Sequence, residues 1–229
     1  MNNSLNPLQT KDPVTAAYVH IPFCHRRCFY CDFPIKVIGD RRDGSNFPLV
    51  DHYLTQLRRE IQATPNLSGC PLQTVFFGGG TPSLLTVAQL GEVLQTLKQQ
   101  FGFAEDIEIS LELDPGTFDR PKLMGFQEQG VNRFSLGVQA FQDSLLQTLG
   151  RSHTLAQVYD AIDLFQERSI ANWSLDLISG LPQQTLEQWQ ISMGASCIGR
   201  VVLQPAVQRG NEVWVLLAIP SRSADLQPR

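Results

Sequence analysis

Long hydrophobic runs are missing from this chain. The longest apolar stretch near its end, VWVLLAI, falls far short of the roughly 20 residues a membrane span needs, so no span is expected. The opening stretch MNNSLNPLQTKDPVTAA has no apolar core of the signal-peptide kind and reads as a disordered lead-in over residues 1–17. Charge of one sign is equally scarce. A formal net charge of −4 leaves no broad basic face for nucleic acid, and the strip Arg26, Arg27, Arg41 and Arg42 reads as a solvated rim. Cysteine is sparse too: five in 229 residues, an odd number, argue against a disulfide framework and for free thiols in the cytoplasm. With 42% hydrophobic and 17% charged residues, the chain can still bury an ordinary globular core.

Three of the five cysteines share one loop, Cys24, Cys28 and Cys31 in HIPFCHRRCFYCDFP. Thiolates spaced x3 and x2 can hold three irons of a 4Fe-4S cluster and leave the fourth iron open for chemistry. The preceding AAYVHIPF alternates and is rich in β-formers, which places the cysteines on a loop leaving the carboxyl end of a strand. A structural zinc site is the alternative, and it needs a fourth ligand such as His20, His25 or Cys70. A lone histidine inside a strand, as His20 would be, is more often a satisfied interior residue than a ligand.

Beyond the loop, β-rich runs (YVHIP, TVFFG, IEISLEL, RFSLGVQ, WSLDLIS) alternate with amphipathic stretches (LVDHYLTQLRREIQA, TVAQLGEVLQTLKQQF, PKLMGFQEQG, TLAQVYDAIDLFQERS). A helix cap is expected near Thr86, and Gly130 is placed to end the helix before Val131. Successive βα units fit an open doubly wound sheet or a barrel, with every strand's carboxyl end on one face. The unusual residues fall at those ends: the cysteines after the first strand, Gly78, Gly79, Gly80 and Thr81 after the second, Glu112 and Asp114 at the third, Gln139 at the fourth, and Asp176 and Gly180 at the fifth. Singly each is an ordinary turn or cap; together they read as one pocket. An open iron beside bare backbone and carboxylates suits S-adenosylmethionine. Backbone at Gly79 and Gly80 can meet its ammonium, Glu112 can accept from a ribose hydroxyl, and Tyr30 can pack against its base. An electron passed from the cluster into the sulfonium bond would release a deoxyadenosyl radical and methionine.

The strings YVHIPFCHRRCFYCDF, FFGGGTPS, LELDPGTF, GVNRFSLGVQAFQDSLLQTLGR and LDLISGLPQQT, in this order between about Tyr18 and Gln190, resemble the radical S-adenosylmethionine superfamily. Within it they are similar to the oxygen-independent coproporphyrinogen III oxidase family and its haem-chaperone (HemW-like) branch. The resemblance implies an α/β fold, a partial (βα)6 TIM-like barrel spanning residues 18–192. It matches Cys24, Cys28 and Cys31 to the cluster ligands, Tyr18 to a tyrosine that bonds a nearby substrate or cofactor group, and Gly79, Gly80 and Thr81 to the turn that binds the cofactor's amino group. Glu112 matches the ribose-binding acid; Gln139, Arg151 and Asp176 match positions that line a second cofactor site in the oxidase. The CDF ending after Cys31, where the oxidase pattern has a further cysteine, and the short lead-in favour the chaperone branch over porphyrin biosynthesis. That branch implies haem cargo, a haem-accepting protein, a reductant such as flavodoxin or ferredoxin, and admits a homodimer. From about Met193 the resemblance is expected to stop. Residues 193–229 then form a divergent tail in place of the family's C-terminal domain and its HNxxYW haem motif, as a frameshift, an interrupted gene or a fragment would produce, in the extreme a metal-binding remnant without function. VVLQPAV or VWVLLAI would supply a substitute sixth strand, and Cys197 receives no role.

Overall fold

The computed structural model describes residues 14–40, 43–66, 69–195 and 200–205, the last as backbone. In chain order these form β1 (Ala16–Ile21), β2 (Phe23–Cys24), β3 (Lys36–Val37), α1 (Pro48–Ala63), β4 (Leu72–Gly79), a 3-10 turn (Pro82–Leu84), α2 (Val87–Phe101), β5 (Phe103–Leu113), α3 (Arg120–Glu128), β6 (Arg133–Gln139), α4 (Asp143–Thr148), α5 (Leu155–Glu167), β7 (Trp173–Ser179), α6 (Leu186–Ala195) and β8 (Arg200–Pro205). Six strands make one parallel sheet in the order β1-β4-β5-β6-β7-β8, and β2 and β3 make a separate short pair. The order never reverses, so there is no switch point of the doubly wound kind; the sheet progresses as a barrel does, with β1 and β8 as its two edges. The sixth strand comes from RVVLQP, while VWVLLAI and Cys197 lie outside the described residues.

Local chemistry accounts for the elements. Thr86 and Gln89 form a reciprocal capping box on α2, Thr154 and Gln157 do the same on α5, and the Asp119 side chain accepts from the Lys122 N–H to start α3. Gly130, at φ 98°, turns the chain after α3 in a conformation that favours glycine. Short α4 and late α6 have no counterpart among the expected helical stretches. Six residues in α4 present too few turns for a periodic pattern, and the apolar residues of α6 do not gather on one side.

Each central strand buries alternate side chains beneath the helices. Ile21, Phe77, Leu111, Leu136, Leu175 and Leu177 are completely buried and pack in one cluster with Leu90 and Val93 of α2, Phe126 of α3 and Phe165 of α5. Each such side chain contributes about 1.5–3 kcal/mol by leaving water. The intervening side chains face the other way, and in β5, β6 and β7 they include the polar Glu112, Ser135 and Asp176. A closed barrel fills its interior with branched apolar residues. Here that face keeps hydroxyls and carboxylates. Among the described residues, no helix is long and apolar enough to cross a membrane.

Candidate functional site

The cysteine loop is held at its neck and its apex. At the neck β2 and β3 pair in parallel, with the Lys36 N–H donating to Pro22 O at 2.6 Å and the Ile38 N–H to Cys24 O at 2.9 Å. At the apex the Phe29 N–H donates to Leu149 O at 2.9 Å, tying the loop to the end of α4. Within it, the Cys31 N–H turns back to Cys28 O, and Arg27 donates to Cys31 O at 3.0 Å. All three thiols are free and partly accessible, and all three line one cleft.

The same cleft is lined by Tyr30, Gly79, Gly80, Thr81, Glu112, Gln139, Arg151 and Asp176. Residues spread from 24 to 176 in the chain therefore meet at the carboxyl ends of five strands. Tyr18 is the exception. Its ring stacks on Phe76 with centroids 6.1 Å apart, and its hydroxyl bonds His20 Nδ1 at 3.1 Å, short of the cleft wall. Tyr30 lines the cleft, and its ring also packs on the small apolar cluster of Leu145, Leu146, Leu149 and Ile178.

The turn after β4 is packed so closely that side chains are excluded. A Cβ on Gly80 would come within 2.7 Å of Phe23 O and 3.0 Å of Cys24 Sγ; one on Gly79, at φ 115°, would strike the His20 ring at 2.5 Å. The N–H groups of this turn are all engaged: Gly79 with Glu112 Oε2 at 3.2 Å, Gly80 with Ile21 O at 2.9 Å and Thr81 with Phe23 O at 2.8 Å. An incoming ammonium would therefore meet carbonyl oxygens here. The Thr81 hydroxyl lies 3.5 Å from Cys24 Sγ and offers it a proton. Burial pushes the Cys24 thiol pKa up, and that hydrogen bond works in the opposite direction.

Two carboxylates share the cleft without full compensation. Burial, and then the nearby Asp176, push Glu112 up to about 7, partly offset by the Gly79 N–H. Burial likewise pushes Asp176 up to about 6, against the Ser135 hydroxyl, which donates to both its oxygens at 3.0 and 3.1 Å, and the cations Arg133 and Arg151. Such a pair favours a cationic guest, which would draw both groups back to the charged form. Gln139 sits at φ 70°, where the β6–β7 register shifts, and its Oε1 is buried with no hydrogen-bond partner. Arg151 Nε is buried and unpaired as well. One orphan acceptor and one orphan donor in the same cleft suit an amino acid's ammonium and carboxylate.

Of the residues that would close a zinc tetrahedron, His25 lines the cleft with the cysteines, while His20 and Cys70 do not. His20 donates from Nε2 to Pro34 O at 3.2 Å, which leaves Nδ1 to accept from Tyr18, so both ring nitrogens are engaged. Cys70 precedes β4 at the opposite end of the sheet. No three His, Cys, Asp or Glu side chains among the described residues stand close enough for a single ion. The donor set fits an iron–sulfur cluster better: three thiols on one clamped loop, opening on a polar cleft.

Three functional positions escaped the reading of the sequence. Ser135 faces the cleft from mid-strand, Gly137 gives the wall a bare stretch of backbone, and His153 is buried behind it. Only the alternation along β6 could have pointed to the first two.

Comparison with known proteins agrees with this architecture. The family model of the Radical SAM superfamily matches residues 18–193, and the chain belongs to that superfamily. Within it the chain is similar to HemW and HemN proteins. A haem chaperone HemW of Synechocystis is 47% identical, over 92% of this chain and 53% of its own length; that of Haemophilus influenzae is 37% identical, over 78% and 46%. The solved structure of coproporphyrinogen III oxidase (HemN) from Escherichia coli superposes with a TM-score of 0.75 at 30% identity, over 84% of this chain and 44% of that one. The chain thus spans about half the length of the curated relatives it matches. The family model stops at Met193, whereas the Synechocystis match covers 92% of the chain and so continues into the segment expected to diverge there.

Proposed function

We propose that this is a radical SAM protein of the haem-chaperone type, in which Cys24, Cys28 and Cys31 ligate a 4Fe-4S cluster and the strand-end cleft binds S-adenosylmethionine. The observation that carries the reading is the meeting of the three thiols with the Gly79–Thr81 turn, Glu112 and two orphan polar atoms in one cleft. Bound together, cluster and cofactor supply one-electron reductive chemistry at a sulfonium. The chain's own residues orient and protect. Glu112, in its charged form, accepts from ribose hydroxyls; the Gly79–Thr81 carbonyls and Gln139 Oε1 accept from ammonium; Arg151 Nε donates to carboxylate. Asp176 completes the acidic wall, as at the second cofactor site of the oxidase. Tyr18 acts through His20, whose Nε2–H holds the cysteine loop at Pro34.

The relatives' name supports haem as cargo and a haem-accepting protein as partner; an electron donor of the flavodoxin or ferredoxin kind, a place in the cytoplasm and a homodimer belong to the same proposal. Residues 18–192 would be the cofactor-binding unit and 193–229 a tail that contributes β8. The test is electron paramagnetic resonance of the anaerobically reconstituted, dithionite-reduced chain, with and without S-adenosylmethionine. A reduced-cluster signal that changes on adding the cofactor is expected; zinc or no metal in the loop would refute the reading. Haem titration, set against turnover of coproporphyrinogen III, then separates chaperone from oxidase.

A further inference from the structure

Arg151 has the most partners of any side chain in the cleft, and they fall on two sides. Its Nη2 is held by the Asp114 carboxylate, by Gly137 O at 2.9 Å and by His153 Nδ1 at 3.3 Å. Its Nη1 reaches Cys28 Sγ at 3.5 Å and the Tyr30 hydroxyl at 3.4 Å. His153 is wholly buried, and its Nε2 lies 3.3 Å from Val138 O. A carbonyl only accepts, so Nε2 carries the proton and Nδ1 is left to accept from the guanidinium. Burial, and then the Arg151 cation, push the His153 pKa down to about 3, which keeps the ring a neutral acceptor at working pH. Asp114 and His153 therefore brace one fork of Arg151 while the other faces sulfur, and the brace removes the alternative rotamers of a long side chain.

We propose that His153, together with Asp114, is a positioning residue that fixes the Arg151 cation against Cys28 Sγ, and that this charge raises the electron affinity of a cluster ligated there. The inference rests on the reading of Cys24, Cys28 and Cys31 as cluster ligands. A cation beside a ligating sulfur favours the reduced, more negative cluster, and poor solvent access lets the charge act with little screening. Asp114 meets Nη2 and Cys28 meets Nη1, so the pair presents its positive end to the sulfur.

The test is a dye-mediated redox titration of the full reconstituted chain, followed by electron paramagnetic resonance of the reduced cluster. At the wild-type midpoint potential, Arg151→Met is expected to leave a reduced-to-oxidised ratio about tenfold lower. His153→Leu moves the ratio the same way, about threefold, because the cation is freed rather than removed. His153→Asn, whose amide oxygen takes the place of Nδ1, restores the wild-type ratio. The double variant Arg151→Met/His153→Leu matches Arg151→Met alone, as required if His153 acts through Arg151. Where the leucine variant loads poorly with iron, His153→Phe, which keeps a ring but no acceptor, is read in its place. The inference is overturned if Arg151→Met or His153→Leu loads fully and leaves the ratio unchanged, or if the His153 effect persists without Arg151. A wild-type chain that takes up no cluster is a different result: it defeats the cluster reading itself, and the inference with it.

Discussion

The two faces of the sheet follow opposite rules. On the face beneath the helices, Phe77, Leu111, Leu136 and Leu175 are sealed from water. On the face toward the cleft, the same strands carry Glu112, Ser135 and Asp176, with two carboxylates pushed above their ordinary range and two buried polar atoms left unpaired. Because neighbouring residues of a strand alternate between faces, one stretch of chain serves both ends at once. The helix-covered face supplies the stability from which the cleft's desolvated charges and unmet hydrogen bonds subtract. Substitutions on the helix-covered face should break folding, and those on the cleft face should break binding.

The sharpest separation is expected in the cysteine loop. Cys31→Ser should abolish the reduced-cluster signal after reconstitution while the melting temperature of the metal-free chain stays within a few degrees of wild type, about what a change below 1 kcal/mol produces. A parallel collapse of the fold would erase the distinction between the faces. On the helix-covered face, Phe77→Ala should cost about 3–5 kcal/mol in urea unfolding, since it empties a fully enclosed site that cannot collapse. A loss below about 1 kcal/mol would show that site to be loosely packed.

The charged face offers a subtler test through pH. Glu112 has an ordinary value of 4.5 and a folded value of about 7, so its folded form binds the proton more tightly. The stability this contributes is complete below about pH 4.5 and is lost as pH rises through about 7. Glu112→Gln, which stays neutral and keeps an acceptor for the Gly79 N–H, should therefore gain on wild type between pH 5 and pH 8, by on the order of 1–3 kcal/mol. S-adenosylmethionine affinity should move the opposite way in wild type, tightening as Glu112 becomes charged. Unfolding curves that keep a constant offset between the two proteins would contradict the assignment. The smallest effect belongs to the surface: the Arg58–Glu92 pair between α1 and α2 is partly exposed, and Arg58→Ala should change stability by less than about 1 kcal/mol.

Much of this was legible from the residues in order. RFSLGVQ and WSLDLIS coincide with β6 and β7, and Thr86 caps α2 as its neighbours require. These rest on short-range rules of periodicity, caps and turns. The cysteine spacing and the glycine turn were equally visible, because both are local strings. What stayed hidden depends on distance. Periodicity alone left barrel and doubly wound sheet open; the family resemblance implied the partial barrel, and the strand order, decided by packing across the whole chain, bears it out.

Sequence by itself determined the strand–helix rhythm, the family resemblance and the residues at each strand end, since all three are written in neighbouring positions. Only the tertiary structure decided that Tyr18 bonds His20 short of the cleft wall, that Tyr30 packs on leucines, and that Asp114 and His153 brace Arg151 beside Cys28. Those contacts join residues as much as 123 positions apart. Burial, charge and hydrogen bonding at such points come from the packing of distant segments against one another, which no local pattern in the chain encodes.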